Sequence, residues 1–401
     1  MLSRIQSISL SNVSRGAAFY SQPASTLTAT SKHQIIIRKL STESPAVPRK
    51  HVNGTAVVFL NMGGPSKISE VYDFLLRLFS DGEIIPLGRF QSTIAKFIAY
   101  RRTPTIEHHY EEIGGGSPIR KWSEYQNAEA CKILDKLSPS TAPHKPFIGF
   151  RYANPLMRNT YQDILDQGIT RAVAFSQYPQ YSVSTAASSF NELKALQKEL
   201  DPEGSIEWSS IERWPTHPGL VKAFANHIKD TLAKFPEEIR HEVVIVFSAH
   251  SIPLDFVNGG DTYPAEVAST VHAVMQELEF SNPYRLAWQS QVGPKAWLGP
   301  KTDKTVATLE AKEDTKGIVL VPIAFTSDHI ETLHELDIEL VETLKRPELV
   351  KRAESLNGDP VFIEALADIV ATHLDPATHD PNGIKAIKSG ANIKPYKIKV
   401  Q

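Results

Sequence analysis

Apolar residues recur along this chain in two alternating rhythms. Six short runs read as strands buried on both faces: residues 55–62, 145–152, 172–178, 243–249, 284–290 and 317–325. Stretches with apolar spacings of three and four separate them, for example Ile68, Val71, Phe74, Leu75 and Leu78. The alternation predicts an α/β protein of two Rossmann-like halves, each a parallel sheet flanked by helices. The N-terminal half is expected over residues 52–225 and the C-terminal half over 226–374, closing with an amphipathic helix near 360–374. A polar, basic tail, residues 375–401, follows.

Composition narrows the function classes. With 401 residues, 41% hydrophobic content and a net charge of -2, there is ample core and no global field suited to nucleic acid. The single cysteine, Cys131, excludes a disulfide framework and any cysteine-only metal site within one chain. No Asp or Glu precedes Glu43, whereas Arg4, Arg15, Lys32, Arg38 and Lys39 are scattered among Ser, Thr and Ala. Residues 1–41 therefore read as a mitochondrial transit peptide and linker, cut near residues 38–41, in preference to a basic tail without an address. No apolar run reaches 18 residues, the length that would read as a membrane span.

Chemistry concentrates where strands end. VVIVFSAHSIP, residues 243–253, runs from a buried strand straight into His250, at the edge where open α/β sheets hold ligands. A satisfied core histidine is the competing reading. The last run leads into an acidic helix in which Asp328, Glu331, Glu335, Glu339 and Glu342 recur at spacings of three and four, with Leu333, Leu336 and Leu340 on another face. Glu339 and Glu342 fit a solvated face; Asp328, His329, Glu331 and His334 begin the helix and should point into the crevice beside His250. Oxygen and imidazole ligands without thiolate suit a transiently held divalent cation such as Fe(II). NMGGP, residues 61–65, lacks phosphate-loop spacing, but its turn permits close approach to a ligand, and Met62 offers a soft apolar surface to something flat. Gly114–Gly116 before Ser117 form a second permissive loop; each is otherwise an ordinary tight turn. Between residues 84 and 102, Ile84, Ile85, Leu87, Phe90, Ile94, Phe97 and Ile98 accompany Arg89, Lys96, Arg101 and Arg102, which suits either a membrane surface or a helix packed on the protein's own core.

LNMGGP, FLLRLF, RRTP, IGGGSPI, GFRYANP, QYPQYS, RWPTH, FSAHSIP, NPYRLAWQSQVGP, WLGP, VPIAFTSDHIETLHELDIE and RAESLNG occur in this order. With them the chain resembles, from about residue 54 to 372, the ferrochelatases, which insert ferrous iron into protoporphyrin IX to make haem. The resemblance implies a chelatase-like fold, with His250 as the catalytic histidine and Glu331 as its partner acid. His217 and Asp368 rank behind them, since a helix-capping or supporting role explains both equally well. Met62, Arg151, Tyr152 and Trp297 would line the porphyrin pocket, although ordinary aromatic packing competes for the last two. Arg102, Tyr110 and Ser117 belong to the segment meeting the porphyrin edge, where a guanidinium can pair with a propionate. His250, Asp328, His329, Glu331 and Glu335 would form the path of substrate iron inward or protons outward.

Metallation removes two N–H protons from a flat macrocycle, so an imidazole base near its working pH fits the task. Whether His250 ligates iron or accepts protons stays open, with the proton role preferred. Saddling or tilting of the ring by binding energy at its edges is the family's route to exposing the nitrogen lone pairs. The resemblance further implies a peripheral homodimer on the matrix side of the mitochondrial inner membrane, with residues 84–102 as a lip through which porphyrin passes. No tightly bound cofactor is expected. Animal members hold a two-iron two-sulfur cluster with one cysteine after QYPQYS and three in a C-terminal extension; here Val183 takes the first position and the tail has none, as in the fungal form. A non-catalytic porphyrin or haem carrier, or a chelatase for another divalent metal, is the alternative. A hydrolase finds neither H-E-x-x-H nor a nucleophile elbow.

Overall fold

The computed structural model describes residues 53–375 apart from 83, 86 and 294. The transit segment and the basic tail expected at the two ends lie outside these residues.

Among the described residues, eight parallel strands form two sheets. The first contains β1 (Thr55–Asn61), β2 (His144–Phe150), β3 (Arg171–Ser176) and β4 (Glu207–Ile211), in the order β2-β1-β3-β4. The second contains β5 (Val244–His250), β6 (Tyr284–Gln289), β7 (Ile318–Pro322) and β8 (Val350–Arg352), in the order β6-β5-β7-β8. The two sheets thus repeat one topology, and in each the first strand lies between its next two. All six expected strands are present. The edge strands β4 and β8 were not expected, because EWSSI and VKR are largely half-exposed and carry no apolar run. Central β1, buried at every position, has the Val- and Phe-rich sequence that a parallel strand covered on both faces needs.

Helices cover the sheets: α1 (Val71–Ser80), α2 (Gln91–Glu112), α3 (Ile119–Leu137), α4 (Met157–Asp166) and α5 (Ser188–Leu200) in the first part, then α6 (Pro218–Leu232), α7 (Leu254–Asn258), α8 (Tyr263–Glu277), α9 (Thr302–Glu310), α10 (Ile330–Leu333) and α11 (Pro360–Leu374). One core runs through both sheets, from Phe59 and Phe175 through Trp214 and Phe224 to Phe247 and Phe362. Its last member belongs to α11, which is started by Pro360 at its first position and by Asp359, whose carboxylate accepts the Phe362 N–H at 2.8 Å.

A buried polar lattice joins the strand exits of the two sheets. Gln126 of α3 donates to the carbonyls of Thr326 and Asn357 at 3.0 and 2.8 Å, and Ser123 donates to Gln177 at 2.9 Å. Each donor is buried with an acceptor, the condition under which such groups hold one arrangement instead of costing stability. The lattice fixes the loop after β7 against the loop after β3.

Candidate functional site

In a sheet of this order the crevice opens beyond the carboxyl ends of the central strands. The ends of β1 and β5 deliver Met62 and His250 to those positions. His250 Nδ1 lies 2.5 Å from the Ser251 carbonyl oxygen. A carbonyl only accepts, so Nδ1 carries the proton and, in the neutral ring, Nε2 presents a lone pair. That Nε2 stands 3.7 Å from Glu331 Oε1, and the imidazole is 37% exposed, open enough to meet a ligand.

His329 repeats the arrangement. Its Nδ1 donates to the Ser327 carbonyl at 3.0 Å, and its Nε2 lies 3.6 Å from Glu331 Oε2. One carboxylate is therefore faced by two imidazoles, one at each oxygen. Burial pushes the Glu331 carboxyl up, but His250 and His329 outweigh it and hold it down at about 2. In return, His329 is raised above its ordinary value against its own burial, chiefly by Glu331. Three phenols, Tyr110, Tyr178 and Tyr263, are pushed well up by burial, and each also feels the charge of Glu331.

The acidic helix departs from the expected spacing. α10 ends after one turn, and residues 335–340 continue as a π-helix in which the Glu339 N–H reaches the His334 carbonyl at 2.8 Å. Five-residue bonding breaks the ladder of carboxylates that an α-helix would place on one face. Glu331 turns to the two histidines. Glu335 instead accepts from Ser290 N at 2.7 Å and Ser290 Oγ at 2.5 Å. Ser290 adopts φ +62°, an uncommon left-handed conformation that aims both donors at the same carboxylate. Burial, helped by the charge of Glu331, raises the Glu335 carboxyl. Glu339 and Glu342 are exposed, as the solvated-face reading has it. His334 is buried, bonded to Glu112 of α2 at 3.0 Å and stacked on His109 at 3.9 Å, so it ties the end of α2 to the π-helix.

Asp328 is occupied. Its carboxylate accepts from Ser355 Oγ at 2.7 Å, Asn357 Nδ2 at 2.8 Å and Thr332 Oγ1 at 3.0 Å, and pairs with Arg352 at 3.2 Å. These partners hold its carboxyl below the ordinary range despite burial.

In the first sheet's loops, the Tyr178 hydroxyl donates to Asn61 Oδ1 at 3.1 Å and accepts the Met62 N–H at 2.9 Å, which sets the half-buried Met62. Ser117 is buried beneath Gly64, where an added Cβ would lie 2.7 Å from its hydroxyl oxygen, and its N–H donates to the Pro65 carbonyl at 2.7 Å. Arg151 is engaged by Asp81 at 2.6 Å and Glu192 at 3.3 Å, and the buried Tyr152 donates its hydroxyl to the same Asp81 at 2.7 Å. Tyr110 is 3% exposed. Trp297 is half-buried beside Pro253, and its indole N–H finds no hydrogen-bond acceptor among the described residues. His217 caps α6 by accepting the Gly219 N–H at 3.3 Å, which leaves Nε2 to donate to Asp368 at 3.1 Å.

Helix α2 has two faces. Ala95 and Ala99 are buried against Val71, Leu75 and Phe79 of α1, while Phe90 just before it, Phe97 and Tyr100 are 71%, 65% and 72% exposed among Arg89, Lys96, Arg101 and Arg102. Arg102 lies 5.9 Å above the Phe79 ring. No helix among the described residues is long and apolar enough to cross a membrane.

Sequence reasoning missed Tyr178, Gln289, Ser290 and Asn357. Gln289 takes the Ser248 hydroxyl at 2.6 Å and donates to the Glu331 carbonyl at 2.8 Å, linking the strand of His250 to its partner acid. The signal was available for the first three: Gln289 ends β6, Ser290 directly follows it and Tyr178 closes the apolar run 172–178, the rule that selected His250.

A family model described as Ferrochelatase matches residues 54–374. The chain is 53% identical over 332 residues to the mitochondrial ferrochelatase of Xenopus laevis, which covers 82% of this chain and 80% of that one. It is 52% identical over 330 residues to that of Homo sapiens, covering 82% and 78%, and 51% identical over 330 residues to that of Schizosaccharomyces pombe, covering 81% and 78%.

Proposed function

We infer that in this chain, which belongs to the ferrochelatase family and inserts Fe(II) into protoporphyrin IX in the terminal step of haem biosynthesis, His250 takes the pyrrole protons and Glu331 holds it for that task. The observation that carries this reading is the pair of imidazoles whose Nδ1 atoms are committed to carbonyls and whose Nε2 atoms both face one carboxylate. A proton arriving on Nε2 of His250 meets an anion already held in that state at about 2. The developing imidazolium is stabilised where it forms, without reorganisation of the site. His329 and Glu335 extend the polar path from the crevice to the π-helix, for protons leaving or iron entering. Asp328 supports this path from behind.

Met62, held by Tyr178, faces one side of the ring in this reading, with Trp297 across the crevice and Arg102 at the propionate edge. Arg151 and Tyr152 support that wall through Asp81. His217 and Asp368 act as a pair at the start of α6. Anaerobic addition of Fe(II) to the purified chain with protoporphyrin should convert the free-base absorbance to that of haem; tight porphyrin binding without conversion would favour a carrier instead.

The protein is mitochondrial, as its relatives are named, and we place it on the matrix face of the inner membrane as a homodimer. Phe90, Phe97 and Tyr100 among four cations support peripheral contact with an anionic leaflet. Phe97→Ser with Tyr100→Ser should weaken sedimentation with phosphatidylserine-containing vesicles by about tenfold or more, since each aromatic withdraws over a kcal/mol of apolar burial. Unchanged sedimentation would remove the membrane role. We also propose that no iron-sulfur cluster is held: Val183 follows QYPQYS, and Cys131, the single cysteine, is buried with its thiol pushed up to about 12 by burial. Charge-transfer absorbance in the protein before porphyrin is added would contradict this.

A further inference from the structure

Glu331 sits on a four-residue helix between an irregular stretch and a short π-helix, an arrangement with little internal stiffness. The chain on either side of that helix is nevertheless gripped by one side chain. Arg352, at the end of edge strand β8, sends Nε and Nη2 to Asp337 at 2.6 and 2.8 Å, and Nη1 to Asp328 at 3.2 Å. Asp328 precedes Glu331 by one turn and Asp337 lies inside the π-helix, so the guanidinium spans the break between them. Asn357 adds a second grip. Its Oδ1 accepts the Asp328 N–H at 2.8 Å while its Nδ2 donates to the Asp328 carboxylate at 2.8 Å. Its backbone carbonyl is held by Gln126, which also holds Thr326. Gln126, Thr326 and Asn357 are buried and the Arg352 and Asp328 side chains are 15% and 14% exposed, whereas the Asp337 carboxylate reaches 35%.

We propose that the segment 352–357 is a brace whose Arg352 and Asn357 are positioning residues: they set the carboxylate of Glu331 between His250 and His329. The inference deepens the proposed function and rests on its assignment of Glu331. Planar, forked contacts are what Arg supplies and Lys cannot, so the fork to Asp337 fixes direction as well as charge. Asn357 has φ +38°, a conformation Asn tolerates, and glycine keeps it while losing both side-chain bonds.

The test is a double-mutant cycle on the full chain, reading kcat for iron insertion and protoporphyrin binding by fluorescence. Asn357→Gly should lower kcat about tenfold or more, the usual range for residues that orient a working group, with porphyrin affinity unchanged. In the Glu331→Gln background the same change should lower kcat less than about twofold, because the carboxylate it positions is gone. An equal loss in both backgrounds, or no loss in either, would overturn the brace. Should Asn357→Gly fail to fold, Arg352→Lys, which keeps the charge and loses the fork, is read in the same cycle. Full activity in Glu331→Gln alone would instead overturn the role of Glu331, and the brace with it.

Discussion

Replacing His250 with alanine is expected to lower kcat for iron insertion by about 10²–10⁴-fold, the contribution typical of a positioned base. Protoporphyrin affinity should stay within a few-fold, because the ring is held in this reading by Met62, Trp297 and the edge residues. The expectation follows from the tautomer. With Nδ1 donating to the Ser251 carbonyl, the side chain has one atom, Nε2, with which to accept a proton or bind iron, and it points at Glu331. Removing the ring removes that acceptor and leaves the pyrrole protons to water. Initial rates at varied Fe(II) separate the two roles still open for His250. A fall in kcat with the iron KM unchanged marks the proton acceptor, whereas a raised iron KM at unchanged kcat marks a ligand. Wild-type rates in the variant would remove His250 from the mechanism altogether.

The meeting of His250 and Glu331 was legible because both lie where buried strands end, and buried strands are the easiest elements to see in a sequence. VVIVFSAH and GIVLVPIAF have no alternation to dilute their apolar signal, since both faces of their sheets are covered. Edge strands lack that signal. VKR of β8 is half-exposed at each residue, and its contribution appears only once Arg352 is seen reaching back to Asp328 and Asp337. For the same reason Asp328 read as an iron ligand: the four groups that occupy it come partly from Ser355 and Asn357, on a later segment that no local spacing connects to it. The π-helix was hidden in another way. Carboxylates at 331, 335 and 339 satisfy an α-helical face on paper, and only the backbone bond from Glu339 to His334 reveals that the face is broken. The break is what lets Glu331 and Glu335 serve different partners, two imidazoles in one case and Ser290 in the other.

Glu331→Gln is expected to lower kcat by about 10²–10³-fold, the range seen when one preorganised electrostatic partner of a reaction is removed. Glutamine has nearly the shape of glutamate, so packing against His250 and His329 is kept and charge alone is lost. Porphyrin affinity should change less than turnover, because the carboxylate meets the imidazolium that forms during the reaction and not the resting ring. The same substitution carries a stability signature whose sign is set by the pKa. The folded protein holds this carboxyl at about 2, below the ordinary value of 4.5, so folding favours its anion. Its contribution is therefore fully present above about pH 4.5 and disappears as the pH falls toward about 2. Glutamine does not titrate. Any gap in Tm between wild type and Glu331→Gln should be widest above pH 4.5 and narrow on acidification, as thermal unfolding followed from pH 6 down to about 3 would register. A gap that widened with acid would mean the anion is disfavoured in the fold. Glu331 would then be a carboxylic acid destabilised by burial, unable to stabilise a charge on His250, and the loss of turnover would need another cause.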